Sequence, residues 1–312
     1  MDSRIAIIDL GTNTFHLLIV DLNKSGHRFV YRERESVKIG KLGINQDIIT
    51  EDALKRALKT LSSFKKSIDE MKVEKVYAFG TSALRNAKNC QDVVDRIKSE
   101  DGFNVKVISG EEEARLIYLG VKTAMKLGDE KCLIIDIGGG SVEFIIGNDS
   151  AIFWKQSFEI GAQRLLEEFH KNDPIKPAEI KALNEHFDLM LPCLFEALQT
   201  HQPTTLVGSS GTFDTLSDIY CIKHGIPKDN DSPQTPLSFD GFHEIYEELV
   251  VKNRADRMNI PGMIELRVDM IVVACALIDY LLSKFSFNHI RVSSYALKEG
   301  VLADIMEASQ DS

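Results

Sequence analysis

The chain has 312 residues, which is more than one hydrophobic core usually supports and therefore predicts about two domains. Hydrophobic residues make up 44% and charged residues 27%, as is typical of globular proteins. The net charge of −10 argues against general binding to nucleic acid or membrane surfaces, because both are anionic and select clustered Lys and Arg. An anionic substrate would need a local positive site in such a chain.

The five cysteines have no CxxC spacing, and several lie in apolar runs. We interpret them as small core residues in a reducing compartment, which disfavours a metal-thiolate site. The N-terminus passes directly into a strand-like run, and the longest apolar segment, Met270 to Leu282, is interrupted by Asp279 and is too short to span a bilayer. These features predict a cytoplasmic protein without a membrane or nucleic-acid partner.

The first predicted element in chain order is a hairpin over Ile5 to Val20, IAIIDLGTNTFHLLIV, with apolar runs on both sides of a turn. The same pattern returns over Cys132 to Gly147, CLIIDIGGGSVEFIIG, so the chain contains an internal repeat. In both copies we expect glycine to supply backbone conformations that other residues resist. The alignment pairs three polar or small positions: Asp9 with Asp136, Gly11 with Gly138, and Thr14 with Ser141.

The segment after the first hairpin predicts a third strand over Arg28 to Ile39 and then a helix that Thr50 caps. Two short strands follow, Lys75 to Gly80 and Val105 to Ser109, each with a helical segment after it. The first half therefore has the order β-β-β-α-β-α-β-α. One apolar stripe identifies the capped helix: Leu54, Leu58, Leu61, Phe64, Ile68 and Met71.

The second half repeats this order. Ala151 to Phe158 supplies the third strand, Thr204 to Gly208 a fourth and His289 to Ser293 a fifth, with helices between and after them. Two duplicated α/β domains are therefore predicted, at residues 1–125 and 126–312. The last helix is expected to pack back on the first domain.

The repeated turns indicate phosphate chemistry. A turn of small residues exposes successive N–H groups in a concave array that binds phosphate oxygens, and three glycines leave room for a phosphate to approach. Asp136 ends one strand and Glu143 begins the next, and hard oxygen ligands at that place suit Mg²⁺. The alternative for Asp136 is a turn residue that bonds its own backbone, but the repeat and the triple glycine favour metal and phosphate binding.

The first hairpin predicts a similar but less specific site. Asp9 is expected to share the metal role of Asp136, while Thr12-Asn13-Thr14 replaces two of the glycines. Asn13 and Thr14 can still present donors to a phosphate. His16 aligns with Glu143, but the eight histidines lack ligand spacing, so His16 is interpreted as a packed residue.

Two arginines are candidates for phosphate binding, because a guanidinium group holds phosphate in a bidentate fork. They are Arg85 in TSALRNA and Arg267 in ELRVD, and Lys298 is a weaker candidate. Each arginine has the alternative of a structural ion pair, for Arg267 with Asp269 or Glu265.

The loop VGSSGT, residues 207–212, follows a predicted strand and precedes a helix, an arrangement that makes an anion site from a helix N-terminus. Without the rest of the pattern it would be only a turn. In SGEEEAR, three glutamates open another helix, where the helix dipole alone favours acidic residues.

The duplicated plan resembles the actin, sugar-kinase and heat-shock-chaperone ATPase superfamily. Within it, the sequence strongly resembles the exopolyphosphatase/guanosine pentaphosphate phosphohydrolase family, from Ile5 to beyond Asp269. The resemblance implies an α/β fold of two actin-like (ribonuclease H-like) domains with a cleft between them. The matching motifs are AIIDLGTNTFHLLI, FGTSALRNA, SGEEEARLIYLGV, LIIDIGGGSVEF, VGSSGT and PGMIELRVDMI.

The resemblance also implies roles for particular residues. The family places its catalytic base at the Glu directly before the Ala of SGEEEAR, which is Glu113, with Glu112 as the alternative if the helix register differs. The metal would be Mg²⁺ or another divalent cation, held by Asp136, Glu143 and Asp9. Substrate phosphate would be held by Asn13, Thr14, Arg85, Gly138, Gly139, Gly140, Ser141, Ser210, Gly211, Thr212 and Arg267.

One segment departs from the family pattern. The family's S-x-x-G-L-R-E-G-V reads SSYALKEGV here, with Ala296 for Gly and Lys298 for Arg, and the chain ends soon afterwards. Longer members carry additional helical C-terminal domains, so this chain is interpreted as the short two-domain form. These departures from the family pattern, and the short form of the chain, leave the binding of long-chain substrates an open question.

The hypothesis from sequence is an exopolyphosphatase that removes the terminal phosphate of inorganic polyphosphate. A guanosine pentaphosphate phosphohydrolase, which would link the chain to the stringent response, shares every motif. Two further hypotheses are an actin-like small-molecule kinase and a non-enzymatic nucleotide-binding module, and SGEEEAR disfavours both. A homodimer is expected by family analogy only.

Overall fold

The computed structural model describes residues 3–23, 26–229 and 232–310. It contains two compact units, Met1–Glu113 (unit 1) and Ala114–Ser312 (unit 2), which divide inside one helix. The predicted domain boundary at residues 125 and 126 stays a prediction. Among the described residues, no helix has the length and apolar character needed to cross a membrane.

Unit 1 is built on a five-stranded mixed sheet. Its strands and helices are β1 (Ser3–Leu10), β2 (Thr14–Asn23), β3 (Gly26–Ser36), α1 (Glu51–Glu70), β4 (Lys75–Gly80), α2 (Ser82–Asn86), α3 (Cys90–Asp101), β5 (Val105–Val107) and the start of α4 (Gly110–Ala124). The sheet order is β3-β2-β1-β4-β5, with β1, β2 and β3 antiparallel and β1, β4 and β5 parallel.

The local sequence explains the first long helix. Thr50 Oγ1 accepts a hydrogen bond from the Ala53 amide at 3.3 Å, which satisfies one of the N–H groups that a helix start leaves without a partner. The predicted apolar stripe of α1 is buried from Leu54 to Ile68, whereas Met71, which follows the helix, is only partly buried. This stripe packs with β1 and β2 in the core of unit 1.

Unit 2 contains a six-stranded mixed sheet of order β10-β11-β9-β6-β7-β8. The elements are β6 (Cys132–Ile137), β7 (Val142–Gly147), β8 (Ile152–Phe158), α5 (Ala162–Phe169), α6 (Pro177–Met190), α7 (Pro192–His201), β9 (Thr205–Ser209), α8 (Ser210–Lys223), β10 (Gln234–Thr235), α9 (Phe239–Val251), α10 (Arg254–Met258), α11 (Ile271–Lys284), β11 (His289–Ser293) and α12 (Leu297–Gln310).

The duplication predicted from sequence is confirmed. In each unit an antiparallel β-β-β meander forms one side of the sheet, and its first strand pairs in parallel with a later strand, β4 in unit 1 and β9 in unit 2. The turns also agree, since Gly11 N donates to Thr14 O at 3.1 Å and Gly138 N donates to Ser141 O at 3.0 Å. The short strand β10, antiparallel to β11, was not predicted.

Every cysteine is free. Cys132, Cys221 and Cys275 are buried, in agreement with the interpretation as core residues. Cys90 is partly buried and Cys193 is exposed, so that interpretation is wrong for Cys193. Cys193 lies on α7, and only one face of such a surface helix packs inward.

Candidate active site

The glycine turn between β6 and β7 is held by the segment that opens α5. Three amides of that segment donate to the turn: Gly161 N to Gly140 O at 3.1 Å, Ala162 N to Gly138 O at 2.9 Å and Gln163 N to Gly139 O at 2.8 Å. The three glycine carbonyls of the turn therefore accept hydrogen bonds within the protein. The amides of Gly139 and Gly140 donate no hydrogen bond to any described residue. Adjacent amides without an acceptor are the elements of an anion-binding nest.

The reason for the glycines differs from the one expected. None of Gly138, Gly139 and Gly140 has a positive φ, so the expectation of a conformation that other residues resist is wrong here. A close backbone contact instead requires glycine at position 161. A Cβ on Gly161 would overlap with the backbone carbonyl carbons of Gly139 and Gly140, because the two chain segments pack backbone to backbone.

Asp136 and Glu143 lie directly opposite each other on β6 and β7. Residues paired in this way project from the same face of a sheet, so both side chains share one side of the hairpin. Both are buried, with exposed fractions of 6% for Asp136 and 1% for Glu143. The structure thus brings together the two carboxylates that the sequence predicts as a metal site.

Each carboxylate accepts a hydrogen bond from a serine hydroxyl that was not predicted from the sequence. Ser209 Oγ donates to Asp136 Oδ2 at 3.1 Å, and Ser157 Oγ donates to Glu143 Oε1 at 2.7 Å. Ser209 lies opposite Asp136 on β9, and Ser157 lies opposite Glu143 on β8. The pairing of β9 with β6 places Ser209, and the pairing of the consecutive strands β7 and β8 places Ser157. Ser209 lies in VGSSGT, but neither that motif nor the sequence around Ser157 signals a contact with a carboxylate.

Burial raises the pKa of Asp136 to about 6, because an ionised carboxylate is poorly solvated inside the protein. Hydrogen bonds from Ser209 and Ser210 and the positive charges of Arg267 and Lys298 act in the opposite direction. The two cations therefore belong to the electrostatic surroundings of Asp136. A divalent cation would favour the ionised form further.

The VGSSGT loop has the predicted strand-to-helix arrangement, since β9 ends at Ser209 and α8 begins at Ser210. Ser210 has a φ of +72°, a conformation that is strained for a residue with a side chain and is found most often at functional sites. A Cβ on Gly211 would overlap with the Arg267 guanidinium, so Arg267 lies directly against the Gly211 backbone. The loop and the arginine, predicted separately, are adjacent in space.

The carboxylates considered as structural partners of Arg267 pair with another arginine. Arg254 Nε donates to Asp269 Oδ1 at 2.7 Å, and Arg254 Nη2 lies 3.6 Å from Glu265 Oε1. Asp269 and Glu265 thus have Arg254 as an ion-pair partner.

In unit 1, the first hairpin has the same backbone plan with other side chains. Asp9 is opposite His16 on β2, and Asp9 is only partly buried. The carbonyls of Thr12 and Asn13 accept hydrogen bonds from amides of residues 37–40, as the glycine carbonyls accept from α5 in unit 2. Thr14 Oγ1 is buried and has no hydrogen-bond partner within the described part of the chain.

Arg85 and Glu113, predicted for different roles, form one ion pair. Arg85 Nη1 donates to Glu113 Oε2 at 2.7 Å, with both side chains largely shielded from solvent. Arg85 Nη1 also lies 3.4 Å from the Ile108 carbonyl oxygen. The structural alternative considered for Arg85 is thus present, but its partner is the predicted base.

The three glutamates that open α4 differ in exposure. Glu111 is exposed, Glu112 is partly buried and Glu113 is buried with 8% exposure. The Glu112 amide donates a hydrogen bond to Ser109 Oγ at 3.2 Å, so Ser109 caps the helix. A purely dipole-stabilised residue would not need burial. The register therefore favours Glu113 over Glu112.

The carboxylates of Asp136 and Glu143 suit a metal ion that takes few protein ligands. No group of three or more His, Cys, Asp and Glu side chains suited to a metal occurs in the described ranges. Two carboxylate groups are enough for Mg²⁺, which keeps several waters and completes its shell with substrate phosphate oxygens. They do not form an all-protein cage.

Comparison with known proteins agrees with this geometry. The sequence profile of the Ppx/GppA phosphatase family matches residues 18–309. A crystal structure of an exopolyphosphatase from Cytophaga hutchinsonii is 46% identical and superimposes with a TM-score of 0.95, covering 98% of each chain.

Two curated relatives match nearly the whole chain. Exopolyphosphatase 1 of Mycobacterium bovis is 26% identical over 99% of this chain and 90% of its own length. The guanosine-5'-triphosphate,3'-diphosphate pyrophosphatase of Pseudoalteromonas atlantica is 26% identical over 98% of this chain but only 59% of its own length.

Proposed function

Because the chain belongs to the Ppx/GppA phosphatase family, we propose that it is an exopolyphosphatase that hydrolyses the terminal phosphoanhydride bond of inorganic polyphosphate. One observation carries the proposal most directly: the amides of Gly139 and Gly140, for which no described residue is an acceptor, lie in the turn next to two buried carboxylates. The likeness to the Cytophaga hutchinsonii exopolyphosphatase supports it.

The terminal phosphate is held at the turn formed by Gly138, Gly139, Gly140 and Ser141, where the amides of Gly139 and Gly140 are the donors and the Gly138 amide closes the turn. The start of α8, from Ser210 to Thr212, and the Arg267 guanidinium bind further phosphate oxygens in unit 2, and Asn13 and Thr14 supply donors from unit 1. Asp136 and Glu143, with Asp9 as the third candidate, are the residues that would hold Mg²⁺, which offsets the negative charge of the substrate. Positioning and charge neutralisation carry most of the rate in phosphoryl transfer.

Glu113 acts as the general base. A water oxygen attacks the terminal phosphorus in line with the bridging P–O bond, that bond breaks, and the shortened chain leaves with the electron pair. The water proton passes to the Glu113 carboxylate. The 2.7 Å hydrogen bond from Arg85 holds the Glu113 carboxylate in place before substrate binds. Phosphate oxygens then compete for Arg85, which frees the carboxylate to accept the proton.

Guanosine pentaphosphate is the second candidate substrate, because a relative named for its hydrolysis aligns with 98% of this chain. The same phosphate site would serve both substrates. The curated relatives named above are hydrolases by name, so we do not propose a kinase or a non-enzymatic module. A cytoplasmic location, supported by five free cysteines, and a homodimer remain part of the proposal.

The experiment that tests the substrate is orthophosphate release in the presence of Mg²⁺ from long-chain polyphosphate, guanosine pentaphosphate and ATP, each at the same concentration of phosphoanhydride bonds. The proposal expects the highest kcat/KM with polyphosphate. A higher value with guanosine pentaphosphate would assign the second candidate, while a preference for ATP would contradict both.

A further inference from the structure

One row of polar side chains crosses the sheet of unit 2. The pairing places Ser209 beside Asp136, Asp136 beside Glu143, and Glu143 beside Ser157 on four neighbouring strands. Directly paired residues project from the same face, so the two carboxylates stand between two serines. Such a row interrupts a sheet whose neighbouring positions, such as Ile135 and Phe144, are apolar and fully buried.

The hydroxyl protons of the two serines point to the carboxylates. Ser209 Oγ has two acceptors within reach, Asp136 Oδ2 at 3.1 Å and the Tyr295 carbonyl at 3.4 Å. That carbonyl already accepts from Ser293 Oγ at 2.8 Å. A hydroxyl has one proton to donate, and the shorter bond to a charged acceptor is the stronger one.

The hydrogen bond from Ser157 to its carboxylate is shorter than the one from Ser209. Its Oγ lies 2.7 Å from Glu143 Oε1, and Glu143 is almost completely buried. A hydroxyl bond to one carboxylate oxygen fixes the rotation of the group and so directs the second oxygen. Partners of this kind orient metal-binding carboxylates in proteins, and their loss commonly weakens metal binding.

The equivalent row in unit 1 lacks these groups. Asp9 is paired with Phe79 on β4 and with His16 on β2, and His16 is paired with Arg34 on β3. The hydroxyl donors therefore occur in the hairpin that carries two carboxylates and are absent from the corresponding positions of the hairpin that carries one. This correlation links the serines to the carboxylate pair rather than to the fold, which both hairpins share.

We propose that Ser157 and Ser209 are positioning residues that orient Glu143 and Asp136 for a divalent cation of the Mg²⁺ class. The inference rests on the metal site of the proposed function and adds two residues to it: Ser157, which lies outside the quoted motifs, and Ser209, to which the VGSSGT motif gave no role. Neither serine touches the substrate. Each acts through the carboxylate to which its hydroxyl is bonded.

The test is direct binding of Mn²⁺, as a spectroscopic probe for Mg²⁺, measured by electron paramagnetic resonance of the free ion in the absence of substrate. Ser157→Ala removes the hydroxyl, and Ser157→Thr retains it on a residue that suits a strand. Ser217→Ala is the matched control, because Ser217 is fully buried in the same unit and donates one 2.7 Å hydrogen bond to the Pro236 carbonyl. Urea unfolding confirms that all variants are folded.

The expected result is a dissociation constant for Mn²⁺ that rises about 10- to 100-fold in Ser157→Ala. Ser157→Thr and Ser217→Ala should retain the wild-type value. Equal affinity in wild type and folded Ser157→Ala would overturn the positioning role while leaving the metal site intact. If the wild-type protein bound no Mn²⁺, this inference and the metal assignment would both be wrong, and orthophosphate release without added metal would show whether the hydrolytic function survives.

Discussion

The two hairpins of the repeat share a backbone and differ in chemistry. Both turns are closed by the same bond, from Gly11 N to Thr14 O and from Gly138 N to Ser141 O. The residue across from the aspartate differs, His16 in unit 1 and Glu143 in unit 2. Duplication has thus kept the hydrogen bonds that shape the turn and changed the side chains that the turn presents.

The two aspartates also differ in burial and in their neighbouring residues. Asp136 is buried beside a second carboxylate, whereas Asp9 is partly exposed beside a histidine. A pair of carboxylates is better suited to a cation than a single carboxylate is, and N–H donors near a turn are suited to phosphate. We infer that the hairpin of unit 2 is the better metal site of the two.

The largest expected effect comes from the two aspartates. Asp136→Asn should lower kcat/KM for polyphosphate by about a thousandfold, because the loss of metal-based charge stabilisation is worth several kcal/mol. Asp9→Asn should cost clearly less, since Asp9 has no second carboxylate opposite it. Steady-state kinetics at saturating Mg²⁺ measures both variants. A greater loss in Asp9→Asn would reverse the assignment of the two hairpins.

Removal of the arginine of unit 1 should have the next largest effect. Arg85→Gln should lower kcat/KM on the order of a hundredfold, because it removes a donor to phosphate and the partner of Glu113. Arg56→Gln is the control, since Arg56 bonds only the backbone carbonyls of Val37 and Lys38 among the described residues. Equal kinetics in the two variants would show that Arg85 has a structural role alone.

A third comparison uses the glycines that support the turns. Gly161 N donates to Gly140 O, and Gly40 N donates to Thr12 O at 3.1 Å. A Cβ on Gly161 meets rigid backbone, but a Cβ on Gly40 meets the Thr12 methyl group at 2.6 Å and Ile44 Cδ1 at 3.0 Å. We expect Gly161→Ala to lower the free energy of unfolding by about 3 kcal/mol and Gly40→Ala by about 1 kcal/mol.

Urea unfolding measures both values, and KM for polyphosphate gives a second readout. It should rise in Gly161→Ala, because displacement of Gly139 and Gly140 disturbs the amides that bind phosphate. An unchanged KM in a destabilised Gly161→Ala protein would argue against a phosphate site at this turn.

The last expected effect is on the pH dependence of the free energy of unfolding. The folded-state pKa of Asp136, about 6, lies above its value in the unfolded chain, so folding takes up a proton between about pH 4 and pH 6. The free energy of unfolding should therefore rise as pH falls from about 6 to about 4, and ionisation of Asp136 in the folded protein should cost about 3 kcal/mol of stability at higher pH.

Asp136→Asn removes this ionisation. The variant should be more stable than wild type at pH 8 by about 3 kcal/mol and no more stable near pH 4. Urea unfolding at the two pH values tests this, and Mg²⁺ should narrow the gap at pH 8. A variant that is less stable than wild type at pH 8 would show that the carboxylate is stabilised by its surroundings.

The sequence predicted what depends on local pattern. Strand β4, Lys75–Gly80, and strand β11, His289–Ser293, have the predicted bounds, and Thr50 caps α1. Both hairpins follow from apolar runs around a glycine turn, and the duplication was visible because the two patterns align. These features are determined by neighbouring residues, which a single sequence contains.

Contacts between distant residues were not predictable. Arg85 and Glu113 lie 28 positions apart, and Ser209 lies 73 positions from Asp136. Their meeting depends on strand order and register, for which no local signal exists. Gly161 shows the same limit, since the requirement for glycine at this position arises from the approach of the Gly139 and Gly140 backbone, which is distant in sequence.

The most direct test of the account is the rate of Mg²⁺-dependent orthophosphate release from polyphosphate by Glu113→Gln, with Glu112→Gln as the matched control. Both substitutions remove one negative charge at the start of α4, but only Glu113 is buried against Arg85. The account predicts a loss of turnover of at least about a hundredfold in Glu113→Gln, with polyphosphate binding retained, and little change in Glu112→Gln. Full turnover by folded Glu113→Gln would contradict it.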